Sequence, residues 1–268
     1  MILKSVKVGS AVASYRSVGS GKPVLYLHGF PTSSYLWRDV MQVVATNYEA
    51  IAVDFPGFGD SELLSDGHTW ERLKAWVGDF VDALNIAPVH LAVHDWGGLI
   101  GLPWMCEQPE KVRSLFITDT SFSPKDRWHF LAQQWRAPDT GEESIGAIAH
   151  EGLEALLSSV TPGIERAAVD EYWKCLATQP HRAAKLEMYR SLEFEMFEPY
   201  MDIFHKTAGG RSRVVWGGND FFVPPKVAER FGERLEAEVT VLKGVSHFPQ
   251  EDAGTEVGRL HLEFLKGL

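Results

Sequence analysis

The sequence predicts an α/β fold: a mostly parallel central sheet flanked by helices, with a helical insertion after the fourth parallel strand. Three observations carry this. Short, continuously apolar runs alternate with segments of helical spacing, the pattern of strands covered on both faces. The alternation stops near Ser121 and resumes at "SRVVWGG", residues 212–218. Between those points the chain is helical and aromatic-rich, without strand-like runs.

The elements follow in order. "LKSVKV" and "AVASYRSV", separated by Gly9-Ser10, alternate like the two arms of a hairpin. "KPVLYLHG" reads as a buried strand ending in glycine, with its apolar run over Val24–Leu27. "YEAIAVDFPGFGDSE" gives a second such strand, Ala50–Val53, and a glycine-rich loop. Thr69 to Leu84 is a helix, because Trp70, Leu73, Trp76, Val77, Phe80, Val81 and Leu84 share one face. Val89–Val93 is a third strand, Gly97–Cys106 a helix, and Val112–Thr118 a fourth strand. After the insertion come "SRVVWGG", a helix over Pro225–Leu235, the strand "AEVTVL" and a last helix from Thr255. The expected division is residues 1–121 and 208–268 as one core, with 122–207 as a helical cap. Ligands in such sheets bind at the carboxyl ends of the strands, so an insertion leaving from that edge roofs the site.

Composition narrows the function. There are 26 Lys and Arg against 36 Asp and Glu, a formal charge of −10, which argues against nucleic acid or an anionic membrane as partner. Cys106 and Cys175 are far apart and form no CxxC pair, so a disulfide framework is not expected. No run is long and apolar enough for a membrane span or a signal peptide, which makes a cytoplasmic protein the expectation. His94 and Asp95 lack convergent partners for a metal. The expected ligands are a small apolar organic substrate and water, with no cofactor and no metal. Monomer and homodimer both remain open.

Three groups follow strand ends: Asp95, Asp220 and His247. Asp95 lies in "VHDWGG", where a strand turns sharply into a helix, as at a nucleophile elbow. Taken alone, an aspartate before a helix is equally a good N-cap. The order of nucleophile, acid and histidine along the chain is that of α/β-hydrolase triads, with Asp in place of Ser.

"LHGFPTSSYLWRDV", "DFPGFGDSE", "VHDWGGLIG", "WGGNDFFVP" and "SHFPQED" together resemble the blocks of the epoxide hydrolase and haloalkane dehalogenase branch of the α/β-hydrolases. The resemblance covers residues 24–120 and 212–265. One position departs from it: Val93 stands where the branch usually has glycine, two before the nucleophile. The resemblance implies that Asp95 attacks a saturated carbon and forms an alkyl ester. His247 then activates water to hydrolyse it, and an acid orients the imidazole. The acid is Asp220 or, alternatively, Asp119, since relatives use either place. Backbone N–H groups of Phe30 and Trp96 form the oxyanion hole.

The leaving group sets the substrate class. A halide needs two donors, Trp96 and a second. In one dehalogenase type the second is Asn directly after His-Gly, where this chain has Phe30; in another it is a cap Trp, for which Trp128 and Trp135 are candidates. An epoxide oxygen needs a cap O–H donor. "EMYRS" resembles that motif and supplies Tyr189, with His129 or Trp128 in the place of a first tyrosine. The expectation is an epoxide hydrolase, with haloalkane dehalogenase as the alternative. A hydrolase fold kept as a non-catalytic ligand receptor is the reading of another class.

Overall fold

The computed structural model describes residues 1–268. Eight strands form one sheet in the order β1-β2-β4-β3-β5-β6-β7-β8. β1 (Ile2–Val8) and β2 (Ala11–Gly19) are the expected hairpin, and β2 pairs antiparallel with β4 (Glu49–Val53). From β4 onward every pairing is parallel, through β3 (Pro23–Leu27), β5 (Val89–His94), β6 (Val112–Thr118), β7 (Ser212–Gly217) and β8 (Glu238–Leu242). Every residue of β5 and β7 is buried, whereas β1 at the edge is largely exposed. That is why the central strands read as unbroken apolar runs and the edge strand alternates.

The sheet is flanked by α1 (Arg38–Val44), α2 (Trp70–Leu84) and α3 (Trp96–Glu107). Thr69 caps α2 through its hydroxyl, and Asn85, in the left-handed region at φ 53°, ends it. α3 is apolar on every side, as a helix buried within the fold must be. Its glycines set how closely it lies: a Cβ on Gly97 would stand 2.3 Å from the Leu27 carbonyl oxygen. α1 has no counterpart in the sequence reading, because a seven-residue helix gives too short a period to recognise.

Between β6 and β7 the chain runs through α4 (Phe130–Arg136), α5 (Thr140–Gly146), α6 (His150–Val160), α7 (Arg166–Trp173), α8 (Gln179–Ser191) and α9 (Met201–Ala208), with no strand. α10 (Lys226–Leu235), α11 (Pro249–Asp252) and α12 (Gly254–Lys266) complete the molecule. Pro225 precedes the first turn of α10 as its N-cap rather than lying within it. No helix is long and apolar enough to cross a membrane.

Candidate active site

The loops after β3, β5, β6, β7 and β8 all open at one edge of the sheet and bring the candidate residues together. At the end of β5, Asp95 has φ 47° and ψ −121°, a conformation that L-residues avoid at a cost of about 1–3 kcal/mol. The surroundings hold it there. Its N–H donates to the Asp119 carbonyl at 3.1 Å, and its carbonyl accepts from Gly98 N–H at 2.8 Å and from the Thr120 hydroxyl at 2.6 Å. Its side chain makes no helix-capping bond, so the N-cap alternative does not describe it. Instead Oδ1 accepts the Phe30 N–H at 2.8 Å, and the Trp96 backbone N–H helps to lower the carboxyl's pKa. A Cβ on Gly29 would fall 2.2 Å from Oδ1, so that glycine leaves the space the carboxylate fills.

His247 stands across from it. Its Nε2 is 3.7 Å from Asp95 Oδ2, and its Nδ1 is 2.8 Å from Asp220 Oδ2. The other Asp220 oxygen accepts the N–H groups of Phe222 and Val223, at 2.8 and 2.9 Å. Asp119, the other candidate acid, makes no ion pair with His247. Its Oδ1 accepts the Gly217 N–H at 2.9 Å from β7, which is neither a helix cap nor a local turn, and its Oδ2 is buried without a donor.

Electrostatics follow from this packing. Burial pushes the Asp95 carboxyl up, but the His247 imidazole beside it outweighs that, and the net shift is downward. Burial alone would lower His247; Asp220 and then Asp95 reverse that and hold it well above the usual histidine value. Burial and the neighbouring Asp220 raise Asp119 well above the usual carboxylate range. Asp119, Asp220 and His247 each offer one donor atom within 4.8 Å of the others. His247 Nδ1 and Asp220 Oδ2 are spent on each other, so the cluster has the chemistry of an acid–base pair rather than a cation cradle.

A cavity of about 40 Å³ opens over Asp95 and His247, and 12 of its 16 lining residues are hydrophobic. His129, Trp135 and Tyr189 come down to it from the helical insertion, and Ile148, Leu153 and Leu157 extend it. Trp128 lines a neighbouring space that also touches Asp95, His129 and Tyr189, and its ring stacks on Trp96 at 5.6 Å. Tyr189 is boxed by Phe30, Trp96, Trp128 and Trp135. Burial, and then the Asp95 charge, raise its hydroxyl well above the usual tyrosine value, while the Trp96 side chain acts against them. His129 Nδ1 accepts the Ala132 N–H at 3.3 Å as the N-cap of α4, which leaves the ring proton on Nε2. Burial lowers its pKa to about 4, so it is neutral.

Three further residues support the site. His94 Nε2 meets the His247 carbonyl at 2.8 Å and so holds the histidine loop. His28 bridges two loops, through the Gly29 carbonyl and the Phe55 N–H. Lys185 on α8 is fully buried, donates to the Gly57 carbonyl at 2.7 Å and lies over the Phe58 ring; burial lowers it to about 7. Nothing in "HRAAKLEMYR" separates that lysine from the surface cations beside it.

A strained carboxylate above a parallel sheet, facing an acid-paired histidine beneath a helical insertion, is the arrangement of an aspartate-elbow hydrolase fold. The chain belongs to the alpha/beta hydrolase family, whose model matches residues 24–260. It is similar to a haloalkane dehalogenase of Psychrobacter cryohalolentis, 27% identical over 267 residues, covering 91% of this chain and 83% of that one. Among solved structures it resembles a haloalkane dehalogenase from Bradyrhizobium elkani, with TM-score 0.87, 23% identity and coverage of 99% and 98%. It also resembles an epoxide hydrolase from Vigna radiata, with TM-score 0.81, 22% identity and coverage of 100% and 98%.

Proposed function

We propose that the protein hydrolyses a small apolar electrophile through an alkyl ester of Asp95, and that the electrophile is an epoxide. Residues 122–207 act as the cap over the site. The Phe30 N–H holds Oδ1, which leaves Oδ2 to attack the ring carbon in line with the breaking C–O bond. The opened oxygen takes a proton from Tyr189, and the His247 imidazolium restores it. The ester has no charge, so His247 loses one of the two carboxylates that raise it and becomes a neutral base. It then takes a proton from water as the hydroxide adds to Cγ, with the oxyanion on Oδ1 facing the Phe30 and Trp96 N–H groups. As the Oδ2–Cγ bond breaks, the His247 imidazolium protonates the leaving oxygen and takes back the proton of the new carboxyl group, which releases the diol and returns Asp95 as carboxylate and His247 as imidazolium. Asp220 is the acid that orients the ring.

The observation that carries the epoxide reading is the pair of donors from the cap. The Tyr189 O–H and the Nε2–H of neutral His129 line the same cavity as Asp95. Haloalkane dehalogenation is a second reading, favoured by the names of the relatives and by the buried, unpaired indole N–H groups of Trp128 and Trp135. Trp37, Trp76 and Trp104 in the core have equally unpaired indoles, so that feature alone does not mark a halide site.

A single turnover in heavy-oxygen water tests the ester. The first product carries no label and Asp95 acquires it; label in the first product overturns the mechanism. A styrene-type epoxide and a 1-haloalkane, offered side by side, separate the two electrophiles.

A further inference from the structure

Two buried carboxyl groups stand behind His247, and they are unequally provided with donors. Asp220 accepts three: Phe222 N–H, Val223 N–H and His247 Nδ1. Asp119 accepts one, from Gly217 N–H, and its Oδ2 is sealed from solvent with none. An anionic oxygen buried beside a second anion, with nothing donated to it, is costly enough that the group keeps a proton instead. A proton on Oδ2 satisfies that atom and gives it a donor to offer to the neighbouring Asp220, which with His247 lies within 4.8 Å.

We infer that Asp119 is a positioning residue that holds a proton and donates it to Asp220, so that the pair behind His247 bears one negative charge. The titratable groups acting on Asp119 are Asp220, from the loop after β7, and His247, from the loop after β8. Asp95 stands across the imidazole, and His94 beside it is neutral, lowered by burial to about 4. With two charges behind it, the ring would stay imidazolium after the Asp95 charge is lost in the ester. With one, it returns to the neutral form that a base requires. The arrangement also provides a reserve: when Asp220 is neutral, Asp119 loses the neighbour that keeps it protonated, and its own charge faces the ring.

This rests on the proposed role of His247, but two of its tests need no substrate. In the infrared difference between the parent and D119N, a protonated-carboxyl band disappears. In NMR of ring-labelled histidine, the His247 midpoint in D119N stays within a few tenths of a pH unit of the parent. A fall of about one unit or more means that an ionised group was removed and overturns the inference, as does the absence of the band. In kinetics, D220N keeps residual turnover, and D119N/D220N falls at least about tenfold further. Equal turnover in the two removes the reserve role. If the double variant does not fold, the two spectroscopic results on D119N decide alone.

Discussion

His247 Nε2 lies 3.7 Å from Asp95 Oδ2, beyond a hydrogen bond but close enough for each charge to stabilise the other. The spacing separates two tasks. Alkylation needs the carboxylate, whose Oδ1 accepts the Phe30 N–H independently of the imidazole. Hydrolysis needs a base near Cγ, and the ring is placed there.

Replacing His247 by glutamine therefore blocks the second step and not the first. With a saturating epoxide, intact-mass measurement shows a protein heavier by one substrate, and the adduct persists for hours. D95N gives no adduct. An H247Q protein that loses turnover without gaining mass contradicts the assignment of His247 to hydrolysis.

Tyr189 is buried among four aromatic rings and faces Asp95 across the cavity. Removing its hydroxyl leaves that packing intact. Y189F slows epoxide opening by about 10²–10⁴-fold, the usual worth of a positioned acid, and leaves the decay of a preformed ester within a few-fold. Pre-steady-state mixing separates the two steps. Equal slowing of both indicates loss of cavity shape rather than of a proton donor.

Gly29 shows how little room the nucleophile has. A Cβ there would lie 2.2 Å from Asp95 Oδ1 and 2.4 Å from its Cβ. G29A drives the carboxylate off the Phe30 N–H at a strain cost of about 1–3 kcal/mol. The expected result is a loss of kcat/KM of at least about 100-fold with a melting temperature only a few degrees lower. Wild-type kinetics in G29A means that the carboxylate can act from another position.

Much of this was legible in the sequence because the core strands and the elbow are local features. The apolar runs of β3 to β7 mark the sheet, and "HDWGG" marks the turn. The match of "WGGNDFFVP" favours Asp220 as the acid, but the sequence places neither acid against the ring. Asp119 and Asp220 both follow strand ends, and only the three-dimensional packing puts Asp220 Oδ2 at 2.8 Å from the ring and Asp119 behind it. His94 was read only as lacking partners for a metal, because its real partner is a carbonyl 153 positions away. Lys185 was invisible for a related reason: burial of a cation inside the fold leaves no trace in the residues on either side of it.

Acid stability follows from the buried histidines. His28, His94 and His261 are lowered by burial to about 3, 4 and 3. Each is neutral when folded and charges on unfolding, so its stabilising effect is complete above the unfolded value, about 6.5, and is lost as pH falls towards the folded one. Asp119, raised well above the usual range, acts in the opposite sense, because the folded state already holds its proton in this window. His247, also raised, contributes no slope here, since both states bind its proton below about pH 6.5. His68, His90 and His129, each lowered to about 4, act in the same sense, so unfolding takes up protons overall and stability falls with pH below about 6.5, by about 1.4 kcal/mol per pH unit for each net proton taken up. Urea midpoints measured from about pH 7.5 down to about pH 4.5 should fall with that slope. H261F should flatten it, because the ring lies stacked on Phe116 at 4.0 Å and a phenyl group there takes up no proton. A midpoint constant across the range would mean that these histidines already bind protons in the folded protein.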